Sequence, residues 1–118
     1  MQKAAIVVLA DTETLESLGR VVNALMAVQE FKEAGDEVKL IFDGAGTKWV
    51  SRLSDPGHQY HDAYERVRDK VSGVCQYCAE AFGVTDEVRD ANAPFADEYR
   101  GHPSIRGLVT EGYQVVTF

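Results

Sequence analysis

Two kinds of hydrophobic pattern alternate along the chain: short continuous apolar runs, and longer stretches in which apolar residues fall three or four apart. The first run, residues 3–10, ends at Asp11 and suits a strand buried on both faces of a parallel sheet. Leu15, Leu18, Val22 and Leu25 then recur at helical spacing. Asp11 or Thr12 is placed to cap that helix, Glu13 and Glu16 suit the positive end of its dipole, and Gly35 supplies a stop. Residues 38–42 form the next apolar run after a short Gly-Asp-Glu turn, which completes a βαβ unit with parallel strands.

The same alternation continues to the last residue. A short helix is predicted over residues 47–53, followed by the breaker Ser54-Asp55-Pro56-Gly57. Tyr60, Tyr64, Val67 and Val71 share one face of an amphipathic stretch, and residues 71–75 give a very short third strand. A helix follows directly and stops at Gly83, with Thr85 capping another. Residues 92–101 are irregular, with a short strand around residues 93–96. Pro103 opens a last helix, Gly112 closes it, and residues 113–118 form a final strand. One domain spanning residues 1–118 is expected, an α/β fold in which helices cover both sides of a mostly parallel sheet of about five strands.

Charge and composition remove several function classes. Of the 118 residues, 45% are hydrophobic and 26% charged, the balance of a folded globular protein rather than a disordered one. A net charge of −7 argues against a surface that grips phosphate backbones, so no nucleic-acid partner is expected. The N-terminal apolar run is too short for a secretory signal or a membrane span, so a cytoplasmic location and no membrane partner are expected.

The chemistry concentrates in VCQYCAEAFGV, residues 74–84, which holds both cysteines, Cys75 and Cys78. A reducing compartment keeps such thiols free, and a chain of this length needs no covalent staple. Cys75 falls at the carboxyl end of the third strand, where α/β sheets gather reactive groups, and enters the first turn of the next helix. Unpaired N–H groups there would lower its pKa and favour the nucleophilic thiolate. Cys78 lies on the same helical face, within reach of Cys75.

A C-x-x-C at a helix start also suits a thiol–disulfide redox pair. A zinc site needs four ligands, and with no second C-x-x-C and three histidines none is expected within a single subunit. Two small residues packed into a core would give the same spacing. The pattern of residues leaves these readings open.

The apolar first strand, the long first helix, LIFDGAGTKWV after the second strand, VSGVCQYCAEAFGV and the closing HPSIRGLVTEGYQVVTF together resemble the DsrE/DsrF-like family, also called YchN-like, over essentially the whole chain. The most specific points are the cysteine eight residues before Gly83 and the Gly-Tyr before the last strand. The resemblance implies a three-layer α/β/α subunit that assembles as a homo-oligomer, a trimer or hexamer, with sulfur donor and acceptor proteins as partners. It also implies sulfane sulfur carried as a persulfide on Cys75, with Cys78 a second thiol in the catalytic position, and no cofactor. A non-catalytic oligomeric module is the alternative from another class.

Other residues carry weaker signals. Gly44-Ala45-Gly46-Thr47-Lys48 follows a strand as a phosphate loop would, but the full motif is absent and a flexible turn is the better reading. Asp43, Gly44 and Gly46 remain pocket candidates, because the second and third strands deliver their ends to the same side. Trp49 is expected as a core or interface anchor, His58 and His61 as solvated side chains, His102 as a helix-start residue, and Tyr77 as surface or interface.

Overall fold

The computed structural model describes all 118 residues. Five strands alternate with six helices: β1 (Lys3–Val8), α1 (Leu15–Glu33), β2 (Glu37–Phe42), α2 (Trp49–Ser54), α3 (His61–Val67), β3 (Val71–Cys75), α4 (Gln76–Ala81), α5 (Thr85–Asp90), β4 (Phe95–Ala96), α6 (Ile105–Thr110) and β5 (Gln114–Thr117). All strands are parallel, in the order β4-β3-β2-β1-β5.

This order dictates the layers. From β1 to β4 the chain steps repeatedly in one direction across the sheet, so right-handed crossovers put every intervening helix on the same face. The return from β4 to β5 runs the opposite way and must cross the other face. Accordingly α1 to α5 bury a cluster of 19 residues, including Ile6, Leu25, Leu40, Phe42, Trp49, Tyr64 and Val74. Only α6 covers the other face, where Ala5, Val7, Ile41 and Leu108 form a cluster of four. No helix is long and apolar enough to cross a membrane.

Element starts and stops follow local chemistry. The α1 N-cap is Thr14, whose Oγ1 accepts the Ser17 N–H at 3.1 Å, rather than Asp11 or Thr12. Asp11 is drawn away because its Oδ1 accepts the Thr12 N–H at 2.7 Å and pairs with Lys48 Nζ at 2.6 Å. The stretch expected as a helix over residues 47–53 splits into a 3₁₀ turn, Gly44–Lys48, followed by α2. At Gly46 a Cβ would lie 2.2 Å from the Val8 carbonyl oxygen, so only glycine lets this turn pack on the end of β1. Trp49 is a core residue whose indole N–H donates to the Ala10 carbonyl at 3.0 Å.

At the other edge, β4 is held close. Val74 pairs with Phe95 and Cys75 with Ala96. Gly73 makes that approach possible, since a Cβ on it would sit 2.5 Å from the Ala96 Cβ. Parallel pairing places the segment after Ala96 at the same end of the sheet as Cys75.

Candidate functional site

Cys75 is the last residue of β3 and is fully buried. It is the N-cap of α4, its Sγ accepting the Cys78 N–H at 3.4 Å. The sequence predicts a thiol acidified by a helix start, and the structure overturns that expectation. Burial pushes the Cys75 thiol up to about 12; the Cys78 N–H pulls the other way, but the Asp43 carboxylate adds to the rise. A helix of six residues with a single N–H on the sulfur does not offset the loss of water. The resting group is a neutral thiol.

Its nearest polar neighbour is one that sequence reasoning did not place here. His102 Nδ1 lies 3.3 Å from Cys75 Sγ, and the Gly101 carbonyl is a second acceptor for the thiol at 3.8 Å. With the ring proton on Nε2, Nδ1 accepts the Cys75 proton. His102 comes from the loop between β4 and α6. That loop is held by reciprocal Tyr99–His102 backbone bonds of 2.8 Å and by the Tyr77 N–H donating to the Gly101 carbonyl at 2.9 Å. Gly101 has φ +83° and Arg100 φ +51°, so the loop turns sharply here. The exposed Tyr77 ring stacks on His102, centroids 4.7 Å apart and 33° from parallel. Tyr77 therefore fixes the imidazole from the solvent side.

Cys78 is half-buried and its thiol donates to Asp43 Oδ1 at 3.4 Å. Asp43 is in turn oriented by the Gly44 N–H, which donates to the same oxygen at 2.8 Å as the carboxylate caps the 3₁₀ turn. Gly44 and Gly46 shape that turn and present no side chain to the cluster. One ligand-type atom from each of Asp43, Cys75, Cys78 and His102 lies within 4.8 Å of the other three.

Parallel strands ending on one side bring Asp43 to Cys75, and that much follows from the sequence pattern. His102 carries no periodic signal; only the pairing of β4 with β3 reveals it. The surface clefts lie elsewhere. One of about 250 Å3 is lined by Lys39, Ile41, Glu98, Ser104 and Leu108 beneath α6 and does not reach the thiols. His58 and His61, expected as solvated side chains, are half-buried, each with one ring nitrogen engaged by backbone: His58 Nδ1 accepts the Tyr60 N–H at 3.0 Å, and His61 Nδ1 lies 2.8 Å from the Leu53 carbonyl.

The comparisons with known proteins agree with this architecture. The model of the DsrE/DsrF-like family matches residues 3–118, and the chain belongs to that family. An uncharacterized protein of Methanocaldococcus jannaschii is 31% identical over 94 residues, covering 80% of this chain and 76% of the relative. The ychN protein of E. coli shares the fold with a TM-score of 0.62 and 20% identity over 100% of both chains. A conserved protein of unknown function from Bacteroides thetaiotaomicron superposes with a TM-score of 0.61 and 19% identity, covering 97% of this chain and 94% of its own.

Proposed function

We propose that this member of the DsrE/DsrF-like family is a sulfur carrier that holds sulfane sulfur as a persulfide on Cys75. The observation that carries the reading is the 3.3 Å approach of His102 Nδ1 to a buried thiol at a strand end, a nucleophile with a proton acceptor in place. Family membership, associated in general with sulfur relay, supports it.

In the proposed cycle a donor persulfide is presented to Cys75 with His102 in place. His102 takes the Cys75 proton, the sulfur lone pair attacks the outer sulfur of the donor, the donor S–S bond breaks, and the donor leaves as a thiol with the proton His102 held. Cys75 then bears the persulfide. An acceptor thiolate attacks its outer sulfur in the second half, and Cys75 departs as thiolate and regains its proton. The neutral resting thiol suits a carrier that must not react with stray oxidants.

Cys78 sets the competing outcome. Its attack on Cys75 Sγ would form a Cys75–Cys78 disulfide and expel sulfide. The hydrogen bond from Cys78 to Asp43 keeps its proton engaged and holds the sulfur in the Asp43 direction. The closeness of the two sulfurs, both within the 4.8 Å cluster, favours a thiol–disulfide redox protein as the second reading.

The thinly covered face of the sheet supports assembly into a homo-oligomer, since Ile105 and Val109 of α6 expose apolar surface there.

Anaerobic incubation of the reduced, chelator-treated protein with cysteine persulfide, followed by mass mapping of the Cys75–Cys78 peptide, tests the carrier reading. Added sulfur is expected in Cys78→Ser, none in Cys75→Ser, and slower loading in His102→Ala. Loading that needs both cysteines and ends in a disulfide supports the redox reading instead, and two inert thiols would refute both.

A further inference from the structure

We propose that Asp43, Cys75, Cys78 and His102 form a four-ligand site for a thiophilic divalent cation of the zinc type. The proposal holds whether or not Cys75 also carries sulfur, because it concerns the reduced, sulfur-free protein.

The donor set is two thiols, an imidazole nitrogen and a carboxylate oxygen, a combination that suits zinc and disfavours magnesium or calcium, which take oxygen ligands. Tetrahedral zinc with bonds of about 2.0–2.3 Å separates its ligand atoms by about 3.3–3.8 Å. The Cys75–His102 and Cys78–Asp43 separations, 3.3 and 3.4 Å, already have that length, and no pair of the four exceeds 4.8 Å. Closing the cluster onto an ion therefore takes side-chain shifts of about 1 Å or less for bonds of this length.

The four donors come from four separate places: the end of β2, the end of β3, the first turn of α4 and the loop before α6. A spacing search along the chain misses such a site. Three of the four donors have a supporting contact of the kind that orients metal ligands. The Cys78 N–H bonds Cys75 Sγ, the Gly44 N–H bonds Asp43, and Tyr77 stacks on His102.

Binding exchanges two thiol protons for one doubly charged cation, forming two metal–sulfur bonds and releasing two protons to solvent, so affinity should rise with pH. Ion and persulfide exclude each other, since both need the Cys75 sulfur.

The test uses tag-free, reduced, metal-stripped full chain titrated with Co2+ as a spectroscopic probe, then with Zn2+ in competition. Expected are one ion per chain, a near-ultraviolet thiolate charge-transfer band, intense visible bands of tetrahedral cobalt, and displacement by Zn2+. Cys75→Ser and Cys78→Ser should abolish the charge-transfer intensity of a two-thiolate site, and His102→Ala and Asp43→Asn should each weaken binding by about tenfold or more. A purely octahedral spectrum without thiolate bands, or wild-type binding that survives in Cys75→Ser, overturns the proposal. In case a cysteine variant fails to fold, the wild type supplies a second readout: Zn2+ should slow alkylation of both thiols, and unchanged rates with Zn2+ present refute the site. Sulfur loading on chelator-treated protein is measured separately, so failure of one property leaves the other standing.

Discussion

On one face of the sheet five helices bury 19 residues in a continuous cluster; on the other a single helix of six residues covers four. Both faces use the same strands, so strand composition does not explain the difference. Connection handedness does: four strands laid down in one direction send their crossovers to one side, and one return crosses the other. The thiol cluster lies at the seam. Cys78 rides on α4 of the thick face, and His102 sits on the loop that carries the chain toward the thin one.

The sharpest way to break this comparison is to remove mass from the thick face. Trp49→Ala is expected to cost about 3–5 kcal/mol in urea denaturation, combining a large cavity with loss of the bond to the Ala10 carbonyl. A change under about 1 kcal/mol would show that the cluster is not the main source of stability. At the seam, Gly73→Val forces β4 away from β3 and is expected to destabilise by about 1–3 kcal/mol. It should also speed alkylation of Cys75, because the loop bearing His102 follows β4. Destabilisation with unchanged alkylation would separate the loop from that edge pairing.

A pH series sharpens the seam further. The Cys75 pKa is raised from 9.0 to about 12, so its neutral form is favoured by folding. That contribution is complete below pH 9.0 and is lost as pH rises toward about 12. Wild-type protein should therefore lose stability through that alkaline window more steeply than Cys75→Ala. In Cys78→Ser, alkylation at Cys75 should be slow at neutral pH and still climbing at pH 10. A plateau near pH 8 would mean an activated thiolate. The smallest effect on stability belongs to the thin face. Val109→Lys, at a side chain 61% exposed, should shift stability by no more than about 0.5 kcal/mol, yet under the proposed homo-oligomer it should lower the particle mass measured by light scattering.

How much of this was legible depended on whether a residue's role was set by neighbours in sequence. β3 was readable to its ends because Val71 to Cys75 falls between two helical stretches, with Val71, Val74 and Cys75 as its apolar positions. Gly35 and Gly112 marked helix ends, and both adopt positive φ, +78° and +91°. The start of α1 was misplaced because Asp11, a good cap locally, is engaged by Lys48 from a distant turn. Asp43 was placed near Cys75 by strand direction alone. His102 was not, because its position depends on a two-residue strand and a tightly turned loop whose residues show no periodicity. The acidity of Cys75 was misjudged for a related reason: spacing shows a helix start but not the burial that outweighs it.

The strand order has a further consequence, in time rather than in space. β1 pairs with β2 and with β5, so Ala4 must find Gln114 across nearly the whole chain. Such distant contacts form slowly, because the loop they close is long and its entropy is lost before any contact repays it. While a ribosome is still extending the chain, β1 to β4 can assemble in the order they emerge, but the second edge of β1 stays open until the last strand arrives. For that interval Ala5 and Val7 lie beside an unpaired strand edge, the part of the nascent protein most exposed to pairing with another copy.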